Sequence, residues 1–151
     1  MQRLGVVFAV ACVFGFAGSP VALGQAAPPN DDFDGATVIG AVPFTDTVDT
    51  AAATAAVDEP TDCDGGFGSL PNSVWYRFTP AEGGPYEFST EGSSYSTAVG
   101  IYTGSRGSLT LVSCFSEGAG LIAEAGVTYY IGSPTISGRV AGRSSFPLAR
   151  A

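Results

Sequence analysis

Apolar and mixed positions alternate strictly at the centre of the chain. Val74, Tyr76 and Phe78 are apolar, whereas the positions between them hold one apolar and one charged residue, Trp75 and Arg77. Successive side chains of a β-strand point to opposite faces, and aromatic and β-branched residues favour strands. The pattern therefore predicts a strand with one face in a hydrophobic core.

Similar short segments recur along the chain. A turn rich in Pro and Gly, residues 79–85, leads into a second alternating segment that contains Tyr86 and Phe88. One helical turn is expected within residues 30–36, because acids suit a helix N-terminus. Eight short strands are predicted, over residues 37–39, 44–48, 74–78, 86–89, 97–102, 109–114, 121–123 and 128–131. Short strands at close spacing favour an all-β fold, here an antiparallel, jelly-roll-like β-sandwich.

The beginning of the chain has a different pattern. Arg3 precedes an uncharged apolar segment, residues 4–17, and small residues follow near residue 24. This arrangement predicts a secretory signal peptide over residues 1–26 and a secreted, periplasmic or cell-envelope location. A membrane-spanning helix needs about 20 apolar residues, so we expect no membrane span after cleavage. A lipoprotein anchored at Cys12 is the alternative.

The end of the chain also departs from the alternation. From Gly132 onward Gly, Ser and Pro recur, and three of the six arginines lie there. We therefore predict a sandwich domain over residues 27–131 and a divergent tail over residues 132–151, disordered or without paired strands. A sheet edge left open by a missing last strand would favour self-association.

Charge limits the partners. The net charge is −8, Lys and His are absent, and nine of the 14 acids lie between Asp31 and Asp64. Such a field repels phosphate backbones, so we expect no nucleic-acid partner.

Two cysteines remain after signal cleavage. In an exported protein an even pair favours a disulfide, here between Cys63 and Cys114. Two buried free thiols are the alternative.

The sequence contains few of the residue combinations that could supply a catalytic nucleophile, acid or base. Without His, neither a Ser-His-Asp triad nor a Cys-His pair can be built, so we expect no enzyme activity. A carboxylate pair such as Glu87 and Glu91 is an alternative, provided that the strand continues as far as Glu91. Residues 104–107 are interpreted as a hairpin turn.

The acid-rich loop of residues 58–66 offers hard oxygen ligands, which calcium prefers. We take Asp31, Asp32, Asp58, Asp62 and Asp64 as candidate calcium ligands, with Asp34 near them. A solvated acidic loop is the competing interpretation.

Aromatic side chains offer a second kind of site. Trp75, Tyr95, Tyr102, Tyr129 and Tyr130 would supply a platform for carbohydrate or peptide. Among them Trp75, Tyr95 and Tyr129 are the candidate ligand-binding residues. Core packing explains the apolar face of the central strand better.

Several segments together resemble the bacterial pre-peptidase C-terminal domain family. They occur in that family's order and comprise residues 28–36, 54–60, 73–80, 96–104, 111–114 and 125–131. The resemblance implies an exported, non-catalytic β-sandwich that accompanies secreted proteins as an accessory or adhering module, and some relatives use calcium. The chain departs from the family at residues 115–117, at residues 95–97 and in its tail.

We therefore expect an exported, non-catalytic binding or adhesion module, stabilised by calcium, that engages an extracellular protein or polysaccharide. A purely structural or interaction protein of the cell envelope is the alternative, and a carboxylate-dependent hydrolase is a more remote one.

Overall fold

The computed structural model describes residues 24–63, 72–116, 118–133, 143–145 and 148–150. Most of the predicted signal peptide lies outside these residues, and so does Asp64. Among the described residues, no helix has the length and apolar character needed to cross a membrane.

The described residues form strands and one turn of 3-10 helix, Phe33–Gly35, as predicted for this segment. Asp32 caps this turn, because its side chain accepts a hydrogen bond from the Asp34 amide. The strands are β1 (Thr37–Ile39), β2 (Thr47–Asp49), β3 (Val74–Phe78), β4 (Gly84–Ser89), β5 (Val99–Ser105), β6 (Ser108–Phe115), β7 (Gly118–Ala123), β8 (Tyr129–Ser133), β9 (Arg143–Ser145) and β10 (Leu148–Arg150).

The strands assemble into a β-sandwich, as the alternation predicts. One sheet has the order β1-β3-β8-β5-β6, and a smaller sheet has the order β10-β4-β7. β2 and β9 form a separate pair. Neighbouring strands are antiparallel except β1 and β3, which are parallel.

The hydrophobic core lies between the five-stranded and three-stranded sheets. Val74, Tyr76 and Phe78 of β3 are buried there, as predicted. The ring of Phe78 meets Tyr86 and Phe88 of β4 edge to face, with centroids 5.0 and 6.5 Å apart. Aromatic pairs in this geometry contribute beyond the area they bury. The side chains on one face of β3 thus pack the two sheets against each other.

A tight hairpin joins β5 to β6, as predicted for residues 104–107. Arg106 and Gly107 form the loop, and Ser105 pairs with Ser108. Gly107 has φ of +73°, a left-handed conformation that glycine adopts without steric penalty. The hairpin sets Arg106 at one end of the five-stranded sheet.

The described segments of the tail, residues 132–133, 143–145 and 148–150, are paired, contrary to the expectation of unpaired chain. β8 continues through Ser133, β9 pairs with β2, and β10 pairs with β4. Hydrogen bonding between strands uses the backbone and does not require alternating apolar side chains. Polar segments such as Arg143–Ser145 can therefore pair even though their sequence gives no strand signal. Self-association through an open edge stays a prediction.

Candidate functional site

The outer face of the five-stranded sheet carries a second apolar cluster. Because side chains alternate along β3, Trp75 points away from the core between the sheets. It is only 2% exposed and packs with Cys63 and Tyr102, which is 3% exposed. Phe33 and Leu109 are among the partly buried residues around them. Residues 30–36 and 55–63 therefore form a layer that covers this face.

Two glycines shape the surface on which the aromatic rings lie. Trp75 stands opposite Gly132 on β8, and Gly132 stands opposite Gly100 on β5. A Cβ atom on Gly132 would come within 2.9 Å of the Trp75 ring, and one on Gly100 would overlap the Tyr102 ring. Glycine inside a strand often marks such close approach. The two rings, with centroids 6.1 Å apart, fill the space that side chains would otherwise take.

A disulfide fastens the covering layer to the sheet. Cys63 is bonded to Cys114 of β6, with their Cα atoms 5.4 Å apart, which confirms the predicted pairing. Cys114 stands opposite Gly100, so the bridge lies in the same row across the sheet as the glycines. The layer is therefore held covalently next to the Trp75 and Tyr102 rings.

Hydrogen bonds attach the start of the layer to β3. The Trp75 amide donates to the Asn30 carbonyl at 2.8 Å, and Asn30 Nδ2 donates to the Trp75 carbonyl at 3.2 Å. Asn30 is buried. Its side chain is satisfied, as buried polar groups normally are.

The Glu59 carboxylate is fixed above Trp75 by neutral donors. Ser73 Oγ lies 2.8 and 2.7 Å from the two carboxylate oxygens, and Trp75 Nε1 donates to Oε1 at 3.2 Å. Glu59 is half-buried. Its position and orientation are thus determined by two donors, the Ser73 hydroxyl and the Trp75 indole.

A cavity of about 280 Å³ lies between this layer and the sheet. Its described lining combines small aliphatic residues, two aromatic rings and the Glu59 carboxylate. The lining residues are Ala55, Ala56, Val57, Glu59, Pro60, Thr61, Ser73, Trp75, Tyr102 and Gly132.

The cavity is electrostatically negative. Burial raises the pKa of the Tyr102 hydroxyl, and the charges of Asp62 and Glu59 raise it further. Negative charge disfavours loss of a proton from the phenol. Tyr102 is therefore a neutral hydrogen-bonding group, and the carboxylates are the charged groups beside the rings.

Three of the aspartates form ion pairs with one arginine of the same chain. Arg106, from the β5–β6 hairpin, makes ion pairs with Asp32, with Asp34 at 2.9 Å and with Asp58 at 2.8 Å. Hydrogen bonds from Arg106 hold the pKa of Asp32 and of Asp58 below the usual range. Residues 32–34 and the acidic loop thus converge on the Arg106 guanidinium.

The remaining proposed calcium ligands lie apart from this cluster. Asp31 accepts hydrogen bonds from the Thr54 amide and hydroxyl, the latter at 2.9 Å. Asp62 lies near the Tyr102 hydroxyl. Within the described ranges, no three acids or cysteines are grouped so as to hold a metal ion. The calcium site stays a prediction, and Asp64 falls outside the described residues.

The three candidate ligand-binding aromatics are not brought together. Trp75 lines the cavity, whereas Tyr129 is buried in the core between the sheets and its hydroxyl accepts from the Glu124 amide at 3.0 Å. The Tyr95 hydroxyl is 2.7 Å from Thr50 Oγ1, and Tyr95 lines a separate polar groove of about 380 Å³. Of the three, only Trp75 belongs to the cavity.

Sequence reasoning missed Glu59 and the two glycines as parts of one site, and it did not select Tyr102. Ile101 is buried between the sheets, so ordinary alternation along β5 places Tyr102 on the outer face. Its neighbours there come from distant parts of the chain, which alternation does not reveal. Gly100, inside the predicted strand of residues 97–102, was the signal that a ring lies against the backbone, whereas Gly132 lay just beyond the predicted strand of residues 128–131.

The alternative catalytic pair does not share one strand. β4 ends at Ser89, so Glu87 lies within the strand and Glu91 lies in the turn beyond it. Both are exposed. The condition on which that alternative depended, a strand continuing to Glu91, is not met.

Compared with known protein families and with curated proteins, the chain matches no family model and no curated sequence. The resemblance to pre-peptidase C-terminal domains therefore stays a prediction.

Proposed function

We propose that the protein is an exported, non-catalytic binding module that holds one small group of an extracellular partner in the Glu59 cavity. The observation that carries this proposal is the cavity itself, which has Gly132 in its floor and is bounded on one side by a loop that ends at the disulfide. Ligand sites are typically largely pre-formed concave surfaces with mainly apolar walls and a few fixed polar groups. The cavity has this composition.

Export is supported by two independent features. The chain begins with a sequence typical of a secretory signal peptide, and it carries a disulfide, which persists mainly in oxidising compartments. The resemblance to accessory domains of secreted proteins favours the same location and a role without catalysis.

A protein partner is favoured over a polysaccharide. Sugars stack on open aromatic faces, but Trp75 and Tyr102 are almost completely buried. Of the five rings proposed as a platform, Trp75, Tyr102 and Tyr130 share the outer cluster, whereas Tyr129 is in the core and Tyr95 lines a separate groove. A protein side chain entering the cavity would need no open ring face.

The test uses the only Trp of the chain as the reporter. In the exported protein labelled with ¹⁵N, the indole N–H of Trp75 gives a single resonance, since the sequence contains one Trp. Capped amino acids of basic, acidic, polar and apolar type, together with methyl glycosides, are added separately. We expect a saturable shift of this resonance with at least one capped amino acid.

A matched pair of variants locates the binding. Ala55→Phe fills the cavity from its wall and should abolish the shift. Ala81→Phe introduces the same ring at an exposed position in the turn between β3 and β4 and should not. If no probe moves the Trp75 resonance in folded protein, the cavity is not a binding site. A shift with methyl glycosides alone would make the partner a polysaccharide.

A further inference from the structure

We propose that the group received by the Glu59 cavity is the cationic side chain of a lysine or arginine. This inference rests on the proposed function, because it names the ligand class of the same cavity. It is carried by the contacts of the Glu59 carboxylate, the shape and walls of the cavity, and the charge of the surrounding chain.

Glu59 offers a negative charge that the described chain leaves without a cation. Its contacts among the described residues are the neutral donors Ser73 and Trp75. Arg106, the nearby basic residue, is engaged with three aspartates. A half-buried carboxylate gains most from a partner that carries the opposite charge, because charge-assisted hydrogen bonds are the stronger kind.

The walls suit a side chain with an apolar stem. Ala55, Ala56, Val57 and Pro60 line the cavity on the side of the loop. Lysine and arginine carry three or four methylene groups before their charged head, and these stems pack on apolar surface. A stem along the aliphatic wall would bring the ammonium or guanidinium group to Glu59.

The volume suits one side chain. Sites for whole small-molecule ligands usually enclose about 300 to 1,000 Å³, and this cavity has about 280 Å³. It is therefore at the lower limit for such a ligand, and it has room for a single long side chain presented by a protein surface.

The wider charge distribution favours a basic partner. The chain has a net charge of −8, and nine of its 14 acids lie between residues 31 and 64, a stretch that includes the cavity-lining loop of residues 55–61. Such a field attracts cations and increases their rate of association. It opposes an acidic ligand, and no Lys or Arg is found among the described lining residues.

The decisive experiment compares two probes that differ in one group. Nα-acetyl-lysine methylamide and Nα-acetyl-norleucine methylamide have similar aliphatic side chains, but only the first carries a side-chain ammonium group. Both are titrated into the exported full chain while the Trp75 indole resonance is followed. We expect the lysine probe to bind at least about tenfold more tightly, a difference of about 1.4 kcal/mol, and to weaken as salt is added.

Two charge-matched variants test the role of Glu59. Glu59→Gln removes the negative charge but keeps an oxygen that can accept from Ser73 and Trp75, and it should bring the two probes to nearly equal affinity. Glu87→Gln changes the net charge by the same amount on an exposed position of β4, and it should preserve the preference for lysine.

The possible results separate the cationic inference, the role of Glu59 and the proposed function. Equal binding of the two probes by the wild-type protein would overturn the cationic inference and leave the binding module intact. Loss of the preference in both variants would mean that the general field selects the cation, which contradicts the role of Glu59. If neither these probes nor any other shifts Trp75, the proposed function fails together with the inference. The wild-type comparison requires no variant to fold.

Discussion

The two faces of the five-stranded sheet are stabilised by different means. The inner face buries large apolar side chains against those of the three-stranded sheet. On the outer face two aromatic rings lie over glycines. A loop covers these rings and is held in place by a disulfide, hydrogen bonds and ion pairs. Burial of apolar area is cooperative and non-directional, whereas the outer contacts depend on particular pairs. The outer face can therefore retain a cavity without loss of the fold.

The largest expected effect is on the inner face. Phe88→Ala removes a ring that is fully buried between the sheets, and we expect a loss of about 3 to 5 kcal/mol in the free energy of unfolding. Leu109→Ala, at a partly buried position of the outer cluster, should cost less. Urea unfolding of both variants measures the difference. Equal losses would mean that the outer layer is packed as tightly as the core.

The disulfide should come next. Replacing Cys63 and Cys114 together by Ala should lower the free energy of unfolding by about 2 to 4 kcal/mol, because the closed loop no longer restricts the unfolded chain. In hydrogen exchange, amides of residues 54–61 should lose protection before those of β3 and β8. Dithiothreitol should reproduce the loss in the wild-type protein and leave the double variant unchanged. Simultaneous loss of protection on both faces would contradict a separable outer layer.

A single methyl group tests the contact between ring and glycine. Gly132→Ala should cost about 1 to 3 kcal/mol and shift the emission of Trp75, since the new Cβ atom would meet its ring. Gly120→Ala on β7 is the control, because its nearest neighbour would be 3.9 Å away. An unchanged Trp75 spectrum in Gly132→Ala would show that the ring does not lie on the sheet as described.

The smallest effect is expected at the ion pairs of Arg106, which are largely exposed. Asp32 and Asp58 have lowered pKa values in the folded protein. Their contribution to stability is thus present above the unfolded pKa, about 3.9 for Asp, and is lost as the pH falls through the lower folded values. Arg106→Gln should therefore destabilise the protein at pH 6 and have a vanishing effect toward pH 2.

Thermal melts of wild type and Arg106→Gln across this pH range, at low and high salt, make the measurement. A difference in melting temperature that persists at pH 2, or that does not change with salt concentration, would mean that Arg106 acts through packing of its aliphatic stem and not through its charge.

The sequence by itself determined the sandwich and most of its strands. Alternation reports which face of a strand is buried, and this signal is local, so the strands around Val74, Tyr86 and Ile131 could be located without the fold. The disulfide was also within reach, because only one pairing is possible between Cys63 and Cys114 once the signal peptide is removed. The hairpin at Gly107 followed from its turn residues.

The tertiary structure alone decided what the acids and aromatics do. Asp32 and Arg106 are 74 residues apart, and Glu59 reaches Trp75 across 16. Their meeting depends on strand register and on where the loop crosses the sheet, neither of which leaves a periodic trace in the sequence. For the same reason Trp75, Tyr95 and Tyr129 could be recognised as aromatic but not assigned to three different environments. Local patterns fix which way a side chain points, and only the assembled sheet fixes what it meets.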